Sequence, residues 1–423
     1  MCSASVPIVY AFACLSVRKL EPWAFIYLLN GRGTPVVSSN IYPVISTGSS
    51  SSPSSSFLQH TKTFVMKKPT THKRRRTLLK TLLVAVLLVA AYFVYELFIH
   101  TSPKVESGLA VPHKMLTGHT HQLWAVRFSP DGSVLASGGA DTDVHLWQPQ
   151  TGAPAGTLPQ LSGTTALEWS PDGKSLITAS YDGVIRVWDV AARRVVQELK
   201  GHAGTVWTLA ISADGRTLAS GGEDKTVKLW DLAKATLLKT LSGHSMNIWK
   251  VRFTPGGQHV VSSSFDNSIK VWTVAEGTLV RTLEGHKQAV VGLDISPDGR
   301  TIASASDDKT LKLWDFESGK LIRTLEGWKE HVYAVAFSPD GKRIVSSNRD
   351  NGAGGELLQN FFGKSSTPKG VTVRLWDVAT GKLLQTFSDH RDDVMDVTFS
   401  PDGQYIASAS TDHTVGLWKV VKQ

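Results

Sequence analysis

The chain has 423 residues, enough for one large domain or about three of ordinary size. Thirteen Trp and 36 Gly, with two Cys and 19% charged residues, exclude a disordered or collagen-like chain. The net charge of +9 is confined to one end, because residues 1–110 hold 12 Lys/Arg against 3 Asp/Glu and residues 111–423 hold 33 against 33. The larger part therefore carries no electrostatic footprint for phosphate, and nucleic acid is not among the expected partners. Cys2 and Cys14 both precede residue 111, which excludes a disulfide framework, a Cys-ligated zinc and a Cys nucleophile from everything after it.

Residues 1–65 hold short apolar pieces, a Ser-rich stretch before Phe57 and one acid, Glu21. As translated protein they read as an organelle transit-like leader. The other reading is a mis-assigned start, with Met66 opening a basic membrane-insertion segment over 66–80. Residues 81–99 follow, with one charge, Glu96, in an otherwise apolar run. As a helix this run spans roughly 28 Å, close to a hydrocarbon core, and it is expected to be a transmembrane signal anchor. Lys67, Lys68, Lys73, Arg74, Arg75, Arg76 and Lys80 precede or enter it, while Lys104 and Lys114 follow. That asymmetry places the N-terminus in the cytoplasm and the remainder on the periplasmic or lumenal side. A cleaved signal peptide is the rival, and no small-x-small site directly after the run supports it. The KRRR tract reads better as part of this anchor than as nuclear targeting. Residues 100–109 form a linker.

From residue 110 to 423 the chain repeats itself. Trp147, Trp188, Trp230, Trp272, Trp314, Trp376 and Trp418 each close an alternating apolar run, the pattern of a half-buried strand. Before each, at a spacing of 18 residues that the insertion lengthens in the sixth, stands a Ser-Pro-Asp-Gly turn or a variant, from Ser129–Gly132 to Ser400–Gly403. A unit of some 42 residues cannot bury its own sheet faces, whereas a ring of such units can. The pairs Gly118-His119, Gly201-His202, Gly243-His244 and Gly285-His286 recur, as do Trp188-Asp189, Trp230-Asp231, Trp314-Asp315 and Trp376-Asp377. On these motifs the chain resembles the WD-repeat family. The resemblance implies an all-β, seven-bladed β-propeller of four-stranded antiparallel blades, here preceded by one transmembrane helix. Residues 110–116 are expected to supply the outer strand that the last blade lacks.

Five blades carry the same polar set: His119/Ser137/Asp141/Trp147, His202/Ser220/Asp224/Trp230, His244/Ser262/Asp266/Trp272, His286/Ser304/Asp308/Trp314 and His390/Ser408/Asp412/Trp418. A catalytic triad needs one site with an oxyanion hole, so five copies read as buried hydrogen-bond chains. Gln160 with Thr178 in the second blade, and Trp328 in the sixth, should leave the chain incomplete and those blades less rigid. No catalytic residue, cofactor or metal site is expected. The pairs His119/His121 and Asp392/Asp393 read as solvated turns.

The distinguishing residues stand five places after each His, and before each turn Asp. Trp124, Tyr181, Trp207, Trp249, Phe265, Tyr333, Arg349 and Met395 fall there. In the resembled family these positions line the upper face, and their residue types suit a protein or peptide partner. The competing reading is that some of them fill gaps between blades. A 20-residue insertion in the sixth blade, 351–370, groups Leu357, Leu358, Phe361 and Phe362 as further contacts. The expected function is a membrane-tethered interaction scaffold with no enzymatic activity. The alternative, an accessory or hydrolase-type propeller acting on a small substrate, rests on Glu223, Asp307 and Arg349 at the channel mouth. Nothing in the sequence sets the oligomeric state.

Overall fold

The structure, a computed structural model, describes residues 108–328, 331–348 and 372–421, and a short backbone pairing of Leu28–Leu29 with Pro35–Val36. The anchor 81–99, the insertion 351–370 and Arg349 lie outside the described residues. Among the described residues no helix is long and apolar enough to cross a membrane.

From Ala110 onward the described chain forms seven antiparallel sheets of four strands. The innermost strands are Leu123–Phe128, Thr164–Trp169, Val206–Ile211, Ile248–Phe253, Val290–Ile295, Val332–Phe337 and Val394–Phe399. Each lies against the inner strand of the next blade, and the last lies against the first, so the ring closes. Closure is made by Ala110–Thr117, which pairs with Thr414–Val420 as the outer strand of the seventh blade.

The packing follows from the repeat. Seven apolar clusters fill the seven gaps between neighbouring blades, and each contains the repeat tryptophan of the following blade. Between the second and third blades, for example, Ile177, Ile185 and Leu199 meet Val206, Leu209 and Trp230. Such a tryptophan is almost wholly buried, and truncating one costs about 3–5 kcal/mol. Second strands such as Leu135–Gly139 are buried throughout, while outer strands such as Arg194–Leu199 alternate with solvent. The Ser-Pro-Asp-Gly turns are held by their own residues: Ser129 Oγ donates to Asp131 Oδ1 at 2.6 Å, and Gly132 takes φ 71° to donate its N–H to Ser129 O. These turns mark the lower face. The Gly-His loops and Asp turns, at the opposite ends of the same strands, mark the upper one.

Candidate functional site: the upper face and channel

The polar sets knit the upper face together. His202 Nδ1 lies 2.9 Å from Asp224 Oδ2, its Nε2 is 2.7 Å from Ser220 Oγ, and Trp230 Nε1 donates to that hydroxyl at 2.8 Å. The first blade repeats this arrangement through His119, Ser137, Asp141 and Trp147. In the fourth, Ser262 Oγ lies 2.9 Å from His244 Nε2 and accepts from Trp272 Nε1 at 2.9 Å, with Asp266 on the other ring nitrogen. In the fifth, Ser304 Oγ lies 2.7 Å from His286 Nε2 and accepts from Trp314 Nε1 at 2.8 Å, with Asp308 beyond. Ser137, Ser220, Ser262, Ser304 and Ser408 are all 0% exposed. A hydroxyl sealed between strands can satisfy a ring nitrogen and an indole, but it offers nothing to a substrate or partner. These serines are therefore sites of the blade interior and not of the binding surface. Burial alone would raise the four carboxyls of Asp224, Asp266, Asp308 and Asp412. The hydrogen bond and charge of the His, with a Thr or Ser hydroxyl two residues on, outweigh it and hold them far below the usual range.

Trp418 departs from the expected set. It donates to Asp389 Oδ2 at 3.0 Å and leaves Ser408 to His390 alone. The cause is a paired exchange. Where other blades have Gly before His, a Cβ would stand 3.0–3.3 Å from Cη2 of the tryptophan. The seventh blade has Asp389 there, so the indole cannot lie in the same place. It turns instead over Gly416, where any Cβ would collide with it.

The second blade differs as its sequence suggests it should. Thr178 and Trp188 remain linked at 3.2 Å and Gln160 accepts from Thr178 at 3.3 Å, but Asp182 is taken by Arg186 at 2.7 Å. In the sixth, Trp328 packs against Trp376 with ring centres 4.7 Å apart and planes tilted by 36°, and Arg374 lies 5.3 Å over the Trp328 ring.

Trp124, Thr165, Trp207, Trp249, Val291, Tyr333 and Met395 share one backbone feature. Each falls where the register between first and second strands shifts, so each is the extra residue of a β-bulge. A bulge re-aims its side chain, here at the channel mouth. An aromatic ladder results: Tyr181 meets Trp207 edge-on at 5.9 Å, Trp207 stacks on Trp249 at 4.9 Å, and Trp249 stacks on Phe265 at 5.0 Å. Burial, opposed by the neighbouring Trp124 indole, pushes the Tyr181 phenol up. All five aromatics are half-buried, as is Tyr333. Trp207 Nε1 is buried without a hydrogen-bond partner among the described residues. Met395 does not share this setting, because at 9% exposure it is a buried filler of the wall and not a contact on offer.

Below the bulges the channel carries charges that the reading of the sequence passed over. Arg127 contacts Asp396 at 2.5 Å and Glu168 at 3.2 Å, Arg252 contacts Asp294 at 3.3 Å, and Lys250 reaches Asp396 at 3.4 Å from the opposite side of the ring. Burial acts against the Arg127 charge, but Asp396 and Glu168 outweigh it; burial pushes Lys250 down and Asp294 up. Lys250 and Asp396 thus floor the upper mouth, while Arg127, Glu168, Arg252 and Asp294 line a cavity of about 320 Å³ below. A signal was available: an Arg, Glu or Asp stands fifth in four inner strands, with Lys250 third in one of them, and a purely structural strand requires no charge there. The upper mouth is a cup with an aromatic wall and a charged floor.

Ring closure, blade count and polar sets define a WD-type propeller. The family model described as WD domain, G-beta repeat matches residues 110–148, 154–189, 193–231, 235–273, 277–315, 319–353 and 381–419, more than half the chain, and the chain belongs to this family. It is 40% identical over 94 residues to WD repeat-containing protein 1 of Xenopus tropicalis, covering 21% of this chain and 15% of that protein. It is 36% identical over 102 residues to the pre-mRNA-splicing factor cwf17 of Schizosaccharomyces pombe, covering 24% and 30%. Mouse coronin-7 matches at 41% over 87 residues, covering 20% and 9%. The chain therefore spans less than a third of the length of each of these relatives.

Proposed function

We propose that the protein is a non-enzymatic binding platform whose upper mouth holds a peptide or a partner's loop. The aromatic ladder from Tyr181 to Phe265 carries this reading. It joins three successive blades, and its rings remain half-exposed. Aromatics set on a rigid scaffold contribute contact area at small ordering cost. The Lys250–Asp396 floor limits how deep an inserted side chain can go. The relatives share the repeat and carry different names, a splicing factor among them, which fits a scaffold whose partner is set by surface residues.

The platform is tethered, on this reading, through residues 81–99, with the propeller on the non-cytoplasmic side. The support is the apolar run and the basic residues before it. The insertion 351–370 adds contacts through Leu357, Leu358, Phe361 and Phe362 beside Arg349.

Affinity capture with the full-length chain, beside a Trp124/Trp207/Trp249→Ala variant of verified fold, tests the platform. Partners held by the native chain and lost by the variant are expected. Identical partner sets on both would overturn the upper-face assignment. Protease protection of the propeller in sealed membranes tests the tether, and digestion without detergent would refute the stated orientation.

A further inference from the structure

The first blade departs from the others at two positions around its set aspartate. In the third, fourth, fifth and seventh blades the residue two after the Asp is Thr226, Ser268, Thr310 or Thr414, whose hydroxyl donates to Oδ1. The third, fourth and fifth blades also place Lys228, Lys270 and Lys312 four residues after the Asp, each reaching a Thr of the outer strand. The first blade replaces the hydroxyl with Asp143 and the lysine with His145. Asp141, 8% exposed, is left with a buried Oδ1 that has no hydrogen-bond partner among the described residues. A polar set has lost a donor and a cation and received a carboxylate and an imidazole in their place.

These exchanges gather donors. One atom each from His119, Asp141 and His145 lie within 4.8 Å of one another, and the two imidazole rings are 4.0 Å apart. We propose that His119, Asp141 and His145 form a binding site for a divalent transition-metal ion, zinc by its donor set, at the seam where the first blade meets the closing strand. Two imidazoles and a carboxylate make the three-ligand set that suits zinc, with a fourth position open to water or to Asp143. Ligation through His119 Nδ1, which now lies 2.7 Å from Asp141, shifts the single ring proton to Nε2, where it is donated to Ser137 Oγ, so the ligand stays a neutral imidazole. An entry path exists, because His145 also lines a cavity of about 480 Å³ with Lys114 and Met115 of the closing strand and Arg193 of the second blade. The pairs His119/His121 and Asp392/Asp393, weighed from the sequence, are not the ones brought together; the relevant spacing, Asp141 to His145, crosses a turn into a strand.

The test uses the full-length chain titrated with Co2+ and then Zn2+. A saturable visible absorbance at one equivalent of Co2+, displaced by Zn2+ and accompanied by a rise in melting temperature, is expected. The variant Asp143→Thr with His145→Lys restores the residues of the other blades without touching the His119–Ser137 link. It should fold, by near-ultraviolet dichroism, and bind at least about 100-fold more weakly. Absence of saturable binding in the native chain would overturn the proposal. So would equal binding by the folded variant, which would locate the ion on histidines elsewhere.

Discussion

Asp224 is 12% exposed in its side chain, with His202 at 2.9 Å on one oxygen and Thr226 at 2.8 Å on the other. Removing it leaves an imidazole and a hydroxyl buried without their charged partner. Asp224→Ala should therefore lower stability by about 3 kcal/mol, measured by denaturant unfolding; an unchanged midpoint would contradict the hydrogen-bond chain. The same carboxyls set the pH dependence. Asp224, Asp266, Asp308 and Asp412 are lowered from an ordinary value of 3.8 in the folded state. The unfolded chain therefore takes up protons first as pH falls. The stability they contribute is fully present above the unfolded range and is lost as pH falls through about 4 toward the folded values. Melting temperature should drop steeply there, and a flat profile between pH 5 and 2 would refute the assignment. His145, also lowered, adds a smaller loss as pH falls through its ordinary 6.5. In the seventh blade, Gly416→Lys should be strongly destabilising, because Trp418 fills its side-chain space. Adding Asp389→Gly should recover much of that loss by returning the indole to its usual place, and additive losses in the double-variant cycle would show that the two positions are uncoupled.

At the scale of the strand, the fold is legible because every level of the pattern repeats. Tryptophans at one period, Asp-Gly turns between apolar runs and alternating outer strands each require sheets stacked edge to edge around a ring. The closing strand is legible too, since Ala110–Thr117 occupies the register that outer strands hold elsewhere. Cutting it away leaves Thr414–Val420 as an open edge and removes Leu116, 4% exposed, from its cluster. A chain lacking residues 110–117 should self-associate and melt at lower temperature, measured by size exclusion and calorimetry; an unaffected monomer would show that the ring closes otherwise. The polar chains of Ser220, Ser262 and Ser304 are legible because the same residues return at the same spacing in each blade. The site is only partly so. Residue spacing points to Trp124, Trp207 and Trp249, but the bulge that turns them to the mouth is a property of register between two strands. The turned Trp418 depends on two residues 27 apart, Asp389 and Gly416, whose meaning appears only when they are seen in contact. The channel charges are not legible one strand at a time, because five blades contribute one or two each and the third and sixth none, and only the closed ring brings Lys250 to Asp396.

At the scale of the molecule, the ring gives the two faces different chemistry. The upper face has an aromatic wall over a charged floor, and the lower face has polar turns satisfied within themselves. The direct measurement is a covalent-labelling footprint of aromatic side chains on the full-length protein, with and without its captured partner. Protection is expected at Trp124, Tyr181, Trp207, Trp249 and Phe265, with Tyr405 and the lower face unchanged. Protection confined to the outer strands or the lower face would contradict the assignment of the upper mouth as the binding site.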